Sequence, residues 1–307
     1  MRANHLLLLL SIFLFLSITS DILHADKCRN ALTDVSLHDK VPAPQLIRQT
    51  VQITEEIKLL SAIYILWLRE LKRYMRSRVE VVASMGQPLL FLLALGFGFE
   101  PVFQQAGHGS YLQFMAPGVV GMTVVFSAVF SGGGMLWDRQ FGFLKETFVA
   151  PVPRLYVMLG RTLGGATVAM IQGFLFLLIC LIAGFRPHDW TSTILGFFFI
   201  AMIAIVFSAV GTAIGSVIKD VQGFQITINF MIMPLFLFSG ALFPLTNLRK
   251  VLSVIMHLDP LTYGIDGMRG ALIGTWHFSF MFDTAVLSVL AAIFLCLGAY
   301  LFSRIQM

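Results

Sequence analysis

Six runs of about 20 apolar residues set the terms on which this chain can fold, because a helix needs roughly that length to cross the hydrocarbon core of a bilayer. They fall at residues 81–99, 117–137, 162–185, 194–218, 224–243 and 284–302. Of the 307 residues 57% are hydrophobic and 12% charged, roughly half the charged share of a soluble domain, so most of the chain has no place in water. The fold expected is an all-α polytopic membrane protein with about six transmembrane helices.

Charge sets the expected orientation. Lys and Arg outnumber Asp and Glu by 21 to 16, and in so apolar a chain that surplus reads as anchoring on an anionic leaflet rather than as a nucleic-acid surface. Arg69, Lys72, Arg73, Arg76 and Arg78 precede the first span, and Arg139, Lys145, Arg154 and Arg161 flank the loop after the second. Lys219 follows the fourth span and Arg304 the sixth. The opposite side keeps only Arg186, Arg249, Lys250 and Arg269, spread over longer loops. This asymmetry places both ends of the six-span core in the cytoplasm; the location expected is the inner (plasma) membrane.

The chain before the first span divides in two. Residues 1–54 form an N-terminal extension in which Arg2 and His5 precede an apolar run over 6–18, like the first two regions of a secretory signal, but with a poor cleavage site. Cleavage would leave the new terminus outside and the Arg69 to Arg78 cluster on the wrong side, so an appendage or an extended start is expected rather than a working signal. Residues 55–78 should form an amphipathic helix, with Leu59, Leu60, Ile63, Leu66 and Leu71 near helical period and a basic far end, lying on the headgroup plane. The remainder, 79–307, is the transmembrane domain. Cys180 and Cys296 sit in apolar runs and Cys28 in a polar one, so the cysteines define no disulfide framework.

Polar groups within the spans are few. None of the six has an ionisable residue in its middle, which argues against a proton- or sodium-coupled carrier. Gln172, Gln225, Thr227 and Asn229 are expected mainly to bond between helices. Gly132, Gly133 and Gly134 are not a phosphate-binding loop, since no G-x-x-x-x-G-K-[ST] occurs; they read as a kink or a close helix contact. The Gly211/Gly215 and Gly165/Ala169 pairs read as helix packing sites. His257 and Asp259 supply too few ligands for a metal, and no catalytic cluster of His, Asp or Glu is visible, so neither a metal site nor a membrane-embedded enzyme is expected.

Two loops carry the most specific patterns. Between the second and third spans runs Trp137, Asp138, Arg139, Gln140, Phe141, Gly142, Phe143, Leu144, Lys145, Glu146, Thr147, Phe148, Val149, Ala150, Pro151, with Phe141, Leu144, Phe148 and Val149 on one helical face. Between the last two spans, Ser239, Gly240, Phe243 and Pro244 lead to Leu258, Asp259, Pro260, Leu261, Thr262, Tyr263 and on to Asp266 and Arg269. A span broken at Pro244 and followed by about thirty half-polar residues suggests a re-entrant helical hairpin on the outer side, with Pro244 and Pro260 stopping helices. Asp266, three residues before Arg269, or Asp259, is expected to pair with that guanidinium.

These two segments together resemble the permease subunits of type-two ABC exporters, and the resemblance covers roughly Arg69 to the carboxyl end. The Asp-Arg-x-Phe-Gly-Phe-Leu-Lys-Glu stretch is most similar to the daunorubicin and multidrug-resistance branch. It departs from the Gly-Thr-Leu-Glu of many other members at Phe143 and Lys145, which argues against a carbohydrate substrate. What the resemblance implies is an interfacial helix before the first span and a coupling helix at Phe141, Gly142, Leu144, Lys145 and Glu146 that contacts a separate ATP-binding subunit. It also implies a second permease copy, and ATP and magnesium held by the partner rather than by this chain. Phe126, Phe130, Asn229, Met233 and Phe236 would then line an apolar path for a hydrophobic, drug-like or lipid-like substrate, since Phe and Met suit promiscuous ligands. A secondary carrier, a membrane enzyme and a non-transporting scaffold are the rival functions.

Overall fold

The computed structural model describes residues 43–105, 110–142, 152–242 and 250–304, and the chain divides into two compact units, Met1–Lys58 and Leu59–Met307. All regular structure among the described residues is helical. In chain order the helices are α1 (Ala43–Arg76), α2 (Arg78–Gly98), α3 (Glu100–Gln105), α4 (Tyr111–Ser131), α5 (Gly134–Gln140) and α6 (Arg154–Ile182). They continue with α7 (Trp190–Val217), α8 (Val221–Phe238), α9 (Lys250–Leu258), α10 (Pro260–Ile273) and α11 (Phe280–Ser303). The apolar run at 6–18 lies outside the described residues. The amphipathic segment expected at 55–78 is helical to Arg76, within a helix that begins earlier, at Ala43.

Five helical stretches are long and apolar enough to cross a membrane: Tyr111–Gln140, Arg154–Ile182, Ser192–Val217, Val221–Phe238 and Phe280–Ser303. They match the second to sixth predicted spans. The first is shorter than its helix, because Arg78 and Glu80 occupy the start of α2 and leave Ser84–Gly98 as the apolar part. The fifth ends five residues earlier than its apolar run, where 239–242 leave the helix and Gly240 turns with φ of 72°. Composition alone could not place that end, since the run stays apolar through Phe243.

α7 is the centre of the bundle, packed against α4, α6, α10 and α11. Its side chains Phe199, Ile203, Phe207 and Val206 are fully or almost fully buried. The approach of α4 and α5 to it is so close that a side chain at Gly132 or Gly211 would run into backbone of the other helix, and a Cβ on Gly215 would sit 2.6 Å from the Gly132 carbonyl oxygen. The triple glycine and the Gly211/Gly215 pair are thus the two halves of one contact. The chain also turns at Gly132 and Gly133, separating α5 from α4. Hydroxyls tie α6 to α7: Ser208 Oγ donates to the Thr162 carbonyl at 2.8 Å, and Thr162 and Thr212 hydroxyls lie 3.2 Å apart. Such pairs hold polar atoms that a bilayer would leave unsatisfied.

Between the last two spans lie two short helices, as the prolines suggest. Pro260 sits in the first turn of α10, where its missing N–H costs nothing, and Asp259 caps that turn. Gly274, at φ of 82°, ends it. Pro244 lies outside the described residues. α10 is not a surface element: Leu261 through Leu272 are all buried, against α7, α11 and α4.

Candidate functional site

The most polar place in the bundle forms where α5 ends. Asp138, near the end of α5, receives Arg69 of α1 at 2.5 Å and Arg161 of α6 on the same carboxylate oxygen. Glu70 adds contacts to Arg69 at 3.4 Å and Arg73 at 2.8 Å. Arg161 and Glu70 are buried. Burial works against the Arg69 charge, but the Asp138 and Glu70 carboxylates outweigh it and raise its pKa above the ordinary value. The helices come close enough for this because α6 presents glycines to α1. A Cβ on Gly160 would be 3.0 Å from that of Leu66, and one on Gly164 would be 2.8 Å from that of Glu70. Trp67 Nε1 donates to Thr167 Oγ1 at 2.9 Å beside them.

The next residue fastens α5 to the central helix. Arg139 donates to the carbonyls of Ile218 at 3.2 Å and Ser216 at 3.4 Å, the unpaired carbonyl end of α7, where a cation also complements the helix dipole. Beyond it Phe141, 67% exposed, stacks on Trp137, 50% exposed, with ring centroids 6.0 Å apart. Gly142, at φ of 81°, turns the chain out of the helix. Leu144, Lys145 and Glu146 lie outside the described residues.

The five residues expected along a substrate path do not share one wall. Phe126 and Phe130 stack 6.1 Å apart and line a cavity of about 360 Å³ bounded by α1, α2, α4 and α6. Asn229 and Met233 are exposed on α8, away from that cavity, and Phe236 is fully buried against Phe91, with centroids 5.9 Å apart. Phe236 is therefore core. At about 100° per residue Phe236 sits about 60° short of a full turn from Met233, and that side of α8 packs against α2.

The expected pairing of Arg269 is also corrected. Among the described residues no ion pair joins it to Asp266 or Asp259. Arg269 donates to the Gly240 carbonyl at 2.9 Å, and its guanidinium lies 4.1 Å above the Phe114 ring. The Asp266 carboxylate instead accepts from the backbone N–H groups of His277, at 3.1 Å, and Phe278, at 2.8 Å, pinning the loop before α11. Asp259 accepts from Leu261 N at 2.8 Å. The three side chains hold three separate breaks in the helices.

Sequence reasoning missed Asp283, fully buried at the start of α11 with both carboxylate oxygens unpartnered among the described residues. Its position one residue before an apolar run was the available sign. Among the described residues no group of three or more His, Cys, Asp or Glu is placed to hold a metal.

Both polar constellations fall inside one family signature. The pattern of the ABC-2 type transporter family matches residues 61–273, from α1 through α10. The chain belongs to the ABC-2 type transporter family. This ABC-2 chain is 28% identical over 216 residues to the inner membrane transport permease YadH of Escherichia coli K12, covering 68% of this chain and 82% of that one. It is 28% identical over 197 residues to the putative transport permease ycf38 of Cyanophora paradoxa, covering 63% and 68%. Nodulation protein J of Sinorhizobium fredii is 22% identical over 212 residues, covering 67% of this chain and 79% of the relative. The ABC-2 chain is accordingly a membrane transporter component.

Two stability outcomes follow from this geometry. Asp138→Ala strands the buried Arg161 and should cost about 3–5 kcal/mol, read as a lower melting temperature of the purified protein, while a combined Asp138→Leu, Arg161→Met change recovers most of it; an unchanged melting temperature for Asp138→Ala contradicts the clamp. For Arg269→Ala, adding Asp266→Ala should deepen the loss, because Asp266 serves the His277 and Phe278 amides rather than the guanidinium. Recovery in that double variant would restore the ion-pair reading.

Proposed function

We propose that this chain is the membrane-spanning permease subunit of an ATP-driven ABC exporter, working with a separate ATP-binding subunit and a second permease copy. ATP and magnesium belong to the ATP-binding subunit. The observation that carries the reading is the convergence on α5: Asp138 holds it to α1 and α6, and Arg139 holds it to α7, while Trp137 and Phe141 stand exposed just before the loop that contains Leu144, Lys145 and Glu146. A push on that loop by an ATPase would reach four helices at once.

Six spans, counting α2, with both ends of the core in the cytoplasm, agree with where the basic residues gather. Arg69, Arg73 and Arg161 meet at Glu70 and Asp138, Arg139 follows Asp138 on α5, and Arg154 reaches the Ser303 carbonyl at 2.6 Å, next to Arg304. Those are residues that charge asymmetry assigns to one side. The relative YadH is an inner membrane transport permease, which favours the inner membrane here. On the outer side, α9 and α10 form the hairpin that dips back between the last two spans. The exposed apolar face of α8, with Ile226, Phe230 and Met233, suits lipid or the second copy. The substrate favoured by the aromatic lining at Phe126 and Phe130 is hydrophobic, drug-like or lipid-like, moved outward.

The test is coupling. Copurified with its ATP-binding subunit, a Phe141→Ala, Leu144→Ala double variant or Glu146→Lys should keep the permease inserted and folded yet lose substrate-stimulated ATP hydrolysis by about tenfold or more, the loss of one hot-spot contact. Unchanged stimulated hydrolysis in both variants removes the coupling assignment.

A further inference from the structure

The cavity of about 360 Å³ between α1, α2, α4 and α6 is within the range of small-ligand sites and is lined unlike a packing defect. Its floor lies midway along α4 and α6, where Thr123 is 1% and Gln172 4% exposed. Thr123 bonds back to its own helix at the Val119 carbonyl. The Gln172 amide has no hydrogen-bond partner among the described residues, yet it faces the cavity. An amide left so in a bilayer costs free energy unless something in the cavity receives it. Ser127 adds a hydroxyl, and the stacked Phe126 and Phe130 form an apolar wall.

The opposite end of the cavity is charged. Arg73 lines it, with 46% of its side chain exposed, beside Glu70. In the surrounding cluster the guanidiniums of Arg69, Arg73 and Arg161 face the carboxylates of Glu70 and Asp138, three charges against two, leaving a net positive mouth. Lys72 and Arg76 extend the positive charge along α1. From Gly165, near the mouth, to Gln172 at the floor is seven residues of helix, about 10 Å. A molecule that fills this space carries an anion at one end, a hydrogen-bonding group deeper in, and apolar surface beside it.

From this we infer that the cavity is a binding site for an anionic membrane phospholipid, its phosphate at Arg73, an ester carbonyl receiving the Gln172 amide, and an acyl chain along Phe126 and Phe130. The assignment of that lipid to the cytoplasmic leaflet rests on the orientation proposed above. The site shares the Phe126 and Phe130 wall with the proposed substrate path, but its test needs neither the ATP-binding subunit nor a transported substrate.

The experiment reconstitutes the full chain alone into vesicles containing a trace of phosphatidylglycerol or phosphatidylcholine with a photoactivatable diazirine on the acyl chain, and maps the labelled peptides. Phosphatidylglycerol should label residues 123–131 and 165–172 about fivefold more than phosphatidylcholine, the discrimination expected of one basic side chain at a membrane surface. Arg73→Gln should bring the two lipids level, and the near-isosteric Gln172→Leu should lower labelling by either, the latter at an unchanged melting temperature. Millimolar inorganic phosphate should leave the labelling intact. Equal labelling by the two lipids in the unmodified chain, labels only outside these segments, indifference to Gln172→Leu, or displacement by inorganic phosphate each overturns the site. Because no nucleotide or partner is present, such a failure is separate from a failure of the exporter reading.

Discussion

Asp138 is the carboxylate on which three helices meet, and the geometry of the polar end of this protein depends on it. Without that charge, the Arg161 guanidinium would be buried in the bundle with its nearest carboxylate gone, a state far more costly than a missing surface pair. The carboxylate therefore does more than add stability. It fixes the separation of α1, α5 and α6, and Arg139 beside it fixes α5 to the end of α7.

That clamp can form only because the helices approach one another closely. Gly160 and Gly164 let α1 lie against α6, and Gly132, Gly211 and Gly215 let the α4–α5 turn lie against α7. In a bilayer the hydrophobic effect does not drive helices together, so close backbone contact and interhelical hydrogen bonds take its place. The Thr162, Ser208 and Thr212 hydroxyls supply the second. The transport component so built is packed closely through α4, α6 and α7 and more thinly at α8, whose Ile226 and Phe230 are exposed.

Much of this was legible in the residues. Apolar runs marked the helices, the glycine pairs marked the contacts, and Pro260, expected to stop a helix, fell at a break between helices and began the next one, because each of those properties is local. The partners of charged groups were not legible. Arg269 has two carboxylates within ten residues, and spacing alone favours Asp266; the structure gives that carboxylate to the His277 and Phe278 amides because the loop before α11 folds back over it. Asp138 and Arg161 are 23 residues apart, and Asp138 and Arg69 are 69 apart, separations at which sequence periodicity carries no signal. Phe236 shows the same limit in an apolar setting, since a helix face is set by neighbours that the sequence does not name.

In the proposed function, motion enters at α5 and is carried by α1, α5 and α6 as one body. Pulsed electron spin resonance on the chain reconstituted with the proposed ATP-binding subunit tests it, with spin labels at the exposed positions Met75 on α1, Leu155 on α6 and Phe230 on α8. Between the nucleotide-free and ATP-trapped states the Met75 to Leu155 distance should stay constant while the Met75 to Phe230 distance shifts. A Met75 to Leu155 distance that changes as much as the other would contradict the rigid clamp and the account built on it.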